Sequence, residues 1–183
     1  MHKLLLIIAL CFFVRPLLGM AESYSEISPA LVLYTGDVMR SSEIGSLSYT
    51  YHMTRTCWIG VDMLVGRTRL DSDSGARVRN GKKYIGMDGA FYLNIPAFLG
   101  QTEPGPDQGF AADLYTSIGL GSLWLDRETE PYGFVGGGMI IHFPTQWIAL
   151  RFDLKGILFK LKNQKGSDMN SDMALSIGPS LKF

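Results

Sequence analysis

Two cysteines occur in 183 residues, and Cys11 lies inside an amino-terminal apolar run, so Cys57 stands alone and no internal disulfide framework is available. Charge is also scarce. Charged side chains make up 19% of the chain and sum to a formal net charge of zero, which removes the basic footprint that nucleic-acid binding requires. Long hydrophobic runs are missing as well. The run from Leu4 to Val14 has eleven apolar residues, and no other stretch approaches the roughly 18 needed by a membrane-spanning helix. What the chain does have is 46% hydrophobic residues, 21 Gly, 10 Phe, 8 Tyr and 3 Trp, a composition suited to strands joined by tight turns.

The first 21 residues have the layout of a secretory signal. His2 and Lys3 precede the apolar run, Arg15-Pro16 breaks it, and Gly19-Met20-Ala21 supplies small residues for cleavage. Leu10 is not the small residue that a lipoprotein site would place before Cys11. Removal of this leader leaves a single domain, residues 22–183, with 15 basic against 17 acidic side chains. An exported, apolar chain without helical spans can reside in a membrane only as a closed barrel, because every backbone group must then pair between strands.

Side-chain alternation supports that architecture. From Asp172 to Phe183, Met173, Leu175, Ile177, Pro179, Leu181 and Phe183 share one face, while Asp172, Ala174, Ser176, Gly178, Ser180 and Lys182 share the other. The same period of two recurs from about Pro29 to Gly36 and in Ile44–Tyr51, Ile59–Gly66, Tyr84–Ile95, Ala112–Gly121, Tyr132–Phe143 and Trp147–Leu154. The expected fold is all-β: an eight-stranded antiparallel transmembrane β-barrel. Polar joins are expected at 37–43, 70–83, 122–131 and 156–171 on the outer side. Shorter joins at His52–Thr56 and Pro144–Gln146 fall on the periplasmic side, together with a longer Gly/Pro-rich one at 96–110.

The carboxyl-terminal strand resembles the assembly signal of bacterial outer-membrane barrels, with Ser176, Gly178, Leu181 and Phe183 in the positions of that pattern. Asp113–Gly121, Gly136–Phe143, Ala149–Leu154 and Ser171–Gly178 resemble strands of the small outer-membrane β-barrel domain proteins of myxobacteria and related deltaproteobacteria. The resemblance implies a fold and a membrane but no reaction. The expected location is therefore the outer membrane. The expected partners are its lipid and lipopolysaccharide, and the barrel assembly machinery during insertion.

Candidate chemistry lies on the polar face. Asp62, Asp88, Asp113, Arg151 and Asp153 are each flanked by outward apolar neighbours, and an Arg on the lipid face would cost about 2–4 kcal/mol, so they are assigned to the lumen as an ionic plug. His52 and His142 sit near turns and read as interfacial residues without an acid–base role. Asp71-Ser-Asp-Ser-Gly75 lacks the distal glutamate of a calcium loop, and Gly119-Leu-Gly121 and Gly136-Gly-Gly138 have no following helix to cradle phosphate. Trp58, Trp124, Trp147, Tyr49, Tyr51, Tyr132 and Phe183 are expected in the interfacial girdles. Neither catalysis nor a cofactor or metal is indicated. A structural or loop-displaying barrel is expected, with a narrow conduit or binding barrel for a small apolar solute as the alternative, ahead of a lipid-modifying enzyme.

Overall fold

Alternating strands can remove their polar row from the membrane only if the sheet closes on itself, and it does. The computed structural model describes residues 23–36, 42–67, 83–95, 111–125, 128–144, 147–159 and 170–183, nearly all of them strand. The strands are β1 (Tyr24–Gly36), β2 (Ser42–His52), β3 (Cys57–Arg67), β4 (Lys83–Asn94), β5 (Ala111–Leu125), β6 (Glu128–His142), β7 (Ile148–Phe159) and β8 (Asn170–Lys182). Each pairs antiparallel with its sequence neighbours, and β8 pairs back onto β1, so the eight strands form a closed up-and-down barrel. Closure leaves no strand edge unpaired. Strands of 11 to 15 residues meet or exceed the roughly 9–11 needed to cross a bilayer at a tilt.

The two faces separate as the alternation requires. Leu31, Ile118, Leu120, Val135 and Leu175 point outward, and Leu120 keeps 76% of its surface exposed. Their strand neighbours Val32, Ser117, Phe134 and Ala174 are buried inside. Apolar side chains exposed on every strand form a continuous surface that hydrocarbon accommodates and water does not.

The seam between β1 and β8 has a local interruption. Pairing runs through Glu26↔Lys182 and Ile27↔Leu181, skips Ser28, Pro29 and Ala30, and resumes at Leu31↔Ile177. Pro29 and Pro179 lie in this gap, and neither has an N–H to donate. Inside the barrel, Ser28 Oγ donates to Ser180 Oγ at 2.8 Å across the same gap. A Cβ at position 178 would collide with the Pro29 carbonyl oxygen and with Ala30, so the close approach requires glycine. At its end the seam is fastened by Ser25 N–H to the Phe183 carbonyl, 3.0 Å, and by Phe183 N–H to the Ser25 carbonyl, 2.9 Å.

The structure differs from the sequence expectations at strand ends. β1 begins at Tyr24 rather than near Pro29, because the hydroxyl-rich stretch Tyr24–Ser28 pairs with β2 and, through Glu26 and Ile27, with β8. The polar stretch 122–131, expected to be a loop, is mostly ladder: Ser122↔Pro131 and Leu125↔Glu128 continue the β5–β6 pairing, leaving only residues 126 and 127 between the strands. The girdle also loses two members. Trp58 is 1% exposed and Tyr132 4%, both inside the barrel, whereas Trp124, Trp147 and Phe183 remain outside. Trp58 and Tyr132 share strand phase with Asp62 and Phe134, and that phase decides their side of the sheet. The join at Met53–Thr56 is tight as expected, with Thr54 Oγ1 accepting the backbone N–H of Thr56 at 3.2 Å and of Cys57 at 3.0 Å. The leader, the 71–75 stretch and the 96–110 join lie outside the described residues.

Candidate functional site

An eight-stranded barrel is wide enough for its own side chains and little more. All five residues of the expected ionic plug point inward, and Asp62, Asp88, Asp113 and Arg151 are buried. They do not form one cluster around Arg151. The structure divides them among three groups, each completed by a residue the sequence reading did not assign to the plug.

The first group is built on Arg151 of β7. Its guanidinium lies over an edge-to-face pair of tyrosine rings, 5.0 Å from the Tyr92 centroid and 5.2 Å from that of Tyr115, the two centroids being 5.7 Å apart. Nε donates to Asp153 Oδ2 at 3.1 Å and to the Tyr115 hydroxyl at 3.0 Å, and Nη1 donates to Thr50 Oγ1 at 3.0 Å. The Tyr115 hydroxyl in turn donates to Asp153. Ser176 Oγ also donates to Asp153, at 3.1 Å. Gly138 makes room for this arrangement, since a Cβ there would strike the Phe152 carbonyl and the Tyr115 ring. A buried cation thus has its carboxylate, its hydroxyl acceptors and two π-faces within reach, the condition under which a buried ion pair is tolerable.

The second group is built on Lys155, also of β7. Its ammonium bonds Asp62 and reaches Asp88 Oδ1 at 3.4 Å, with the Phe134 ring centroid 4.4 Å away. Asp88 Oδ2 accepts the Tyr132 hydroxyl at 2.6 Å. Asp62 and Asp88 are directly opposite each other in the β3–β4 register, so without this lysine two like charges would face each other. Between the groups lies a cavity of about 20 Å3, room for roughly one water.

The third group lies at the end of the barrel that carries Phe183. Asp113 does not approach Arg151. Instead its Oδ2 is 2.7 Å from His142 Nε2, and His142 Nδ1 is 2.7 Å from Lys182 Nζ. Because an ammonium can only donate, the imidazole accepts at Nδ1 and donates from Nε2 to Asp113. Lys182 also lies 5.0 Å from the Tyr24 ring centroid. His52, expected at an interface, is 1% exposed, stacked on Tyr24 at 4.0 Å and 3.2 Å from Glu26, which is itself fully buried. Both ring nitrogens of His142 are taken by charged partners, and neither histidine is aimed at a serine or threonine hydroxyl in the pairings made by the described residues.

Lys155 was within reach of the alternation argument, since it is next in phase after Asp153. Glu26 was missed because its strand begins earlier than its composition suggests.

An apolar outer wall around a lumen filled with salt bridges defines a small membrane-embedded β-barrel of the outer-membrane type. The sequence matches no protein-family model and no curated protein. The N-terminal β-barrel domain of Pseudomonas aeruginosa OprF is similar in structure, with a TM-score of 0.53 at 15% identity, covering 87% of this chain and 97% of that one. Neisserial surface protein A, NspA, is similar with a TM-score of 0.56 at 13% identity, covering 88% and 97%. At these identities the likeness is one of fold. It carries the resemblance to small outer-membrane barrels and gives no support to the narrower myxobacterial and deltaproteobacterial attribution.

Proposed function

We propose that this chain is a structural or loop-displaying barrel of the outer membrane, in which the lumen serves as a rigid plug and catalysis has no part. The observation that carries the reading is the pair of cations on β7. Arg151 reaches across to Thr50 of β2, and Lys155 reaches Asp62 of β3 and Asp88 of β4, so the interior is tied from wall to wall. A path for ions or solutes would have to break these contacts, and the cavity of about 20 Å3 beside them holds roughly one water. Purified, refolded protein in a planar bilayer is expected to give no sustained single-channel openings. Regular openings of constant conductance would instead favour the conduit reading. An altered lipid A profile in expressing cells would favour the enzyme.

The outer wall in this reading meets membrane lipid and, in the outer leaflet, lipopolysaccharide, and Ser176, Gly178, Leu181 and Phe183 serve as the recognition strand for the assembly machinery. Deletion of Phe183 removes the two backbone bonds to Ser25 that fasten the β1–β8 seam. Export of the truncated chain should continue while membrane insertion and heat-modifiable migration on gels fall. Normal insertion would show that the last residue is dispensable.

A further inference from the structure

At the end of the barrel that carries Phe183, side chains from strands on opposite sides of the mouth are joined through Lys182. Asp113 of β5, His142 of β6 and Lys182 of β8 form an unbroken chain of two contacts, each of 2.7 Å. From Lys182 the chain continues to β1 and β2, through the Tyr24 ring at 5.0 Å and the His52 ring stacked on it at 4.0 Å. Lys182 also belongs to the closing seam. Its amide donates to the Trp147 carbonyl at 2.9 Å, and the next residue, Phe183, exchanges two backbone bonds with Ser25.

The bond between Lys182 and His142 has room for one proton. An ammonium has no lone pair, so Nδ1 of the ring is bare and Nε2 carries the hydrogen that Asp113 accepts. A second proton on the ring has only Nδ1 to occupy, where it would point at the ammonium from 2.7 Å and replace a hydrogen bond with the contact of two cations. Histidine is the side chain that takes up a proton in mild acid. The His142 side chain is 18% exposed and within reach of solvent at this mouth, whereas that of His52 is 1% exposed. The groups around the ring leave Lys182 as the one to move. Asp113, which Asn94 of β4 also bonds, is the counter-charge of an imidazolium, so the ring can keep its place. On β7 Arg151 is committed to Asp153, and beyond Lys182 stand Glu26 of β1, its register partner, and His52 of β2, paired with that carboxylate. We propose that the Lys182–His142 contact is an acid-sensitive clasp on the last strand: a second proton on His142 releases Lys182 and loosens the end of the β1–β8 seam.

The test is NMR of the refolded barrel in detergent, from about pH 8 to about pH 5, reading the histidine ring nitrogens and the protection of backbone amides from exchange. At the upper end the His142 ring should show a bare Nδ1 and a protonated Nε2. As the ring takes its second proton, the protection of the Lys182 and Phe183 amides should fall with the same midpoint and by about tenfold, the order expected for loss of one hydrogen bond to a charged group. His142→Gln keeps an acceptor and a donor without a titrating ring, and should hold that protection constant; His52→Gln should leave the wild-type response in place. Should His142→Gln fail to refold, Lys182→Met decides, since its ring should titrate without moving the Phe183 amide. A ring protonated on Nδ1 at the upper end, or terminal amides that do not follow the ring, would overturn the proposal. So would a response that survives in His142→Gln or vanishes in His52→Gln, either of which would place the switch on another group.

Discussion

Replacing Arg151 with methionine is expected to destabilise the refolded barrel by about 3–5 kcal/mol, the usual cost of removing one partner of a buried ion pair. The guanidinium is 3% exposed and donates to Asp153, Tyr115 and Thr50, so its loss leaves a carboxylate inside the lumen with only the Tyr115 and Ser176 hydroxyls. Methionine restores much of the volume but none of the charge. The double variant Arg151→Met with Asp153→Asn should recover most of the loss, because no uncompensated charge remains. Urea unfolding in lipid vesicles measures both. If the double variant were as unstable as the single one, the stabilisation would lie in the contact of the guanidinium with the Tyr92 and Tyr115 rings rather than in the ion pair.

Leu154→Arg should cost about 2–4 kcal/mol, the penalty for a cation facing lipid near the middle of the bilayer. Leu154 is 47% exposed on the outer wall and lies halfway along β7, between two residues whose side chains enter the lumen. Leu158, 46% exposed on the same face but next to the last residue of the strand, provides the depth control. Leu158→Arg should cost about 0–1 kcal/mol, because a long side chain near the interface reaches water. Equal penalties at the two positions would mean that the hydrocarbon band is not centred on this part of the strand.

Inside and outside are legible in the sequence. A period of two admits only two choices per strand, and a single Asp or Leu selects between them. That reasoning placed Asp62, Asp88, Asp113, Arg151 and Asp153 on the inner face, and the terminal stretch Asp172–Phe183 in its observed phase. Strand ends were less legible. Ser23–Ser28 and Ser122–Pro131 look like loops by composition, yet in a closed barrel a rim strand with a neighbour on each side satisfies its backbone whatever its side chains are. Two aromatic residues were misassigned for a related reason: Trp58 and Tyr132 were judged by their nearness to strand ends, although their phase directed them inward.

The order of side chains along each strand was therefore enough for the number of strands, the closed sheet and the sign of each face, because those depend on neighbours one and two residues apart. Which charges meet depends instead on how far each strand is shifted against the next around the barrel. Lys155 meets a carboxylate 93 residues earlier and Arg151 a hydroxyl 101 residues earlier, while Asp113 turns to His142. Closure added those shifts together, and only then did one expected cluster become three groups.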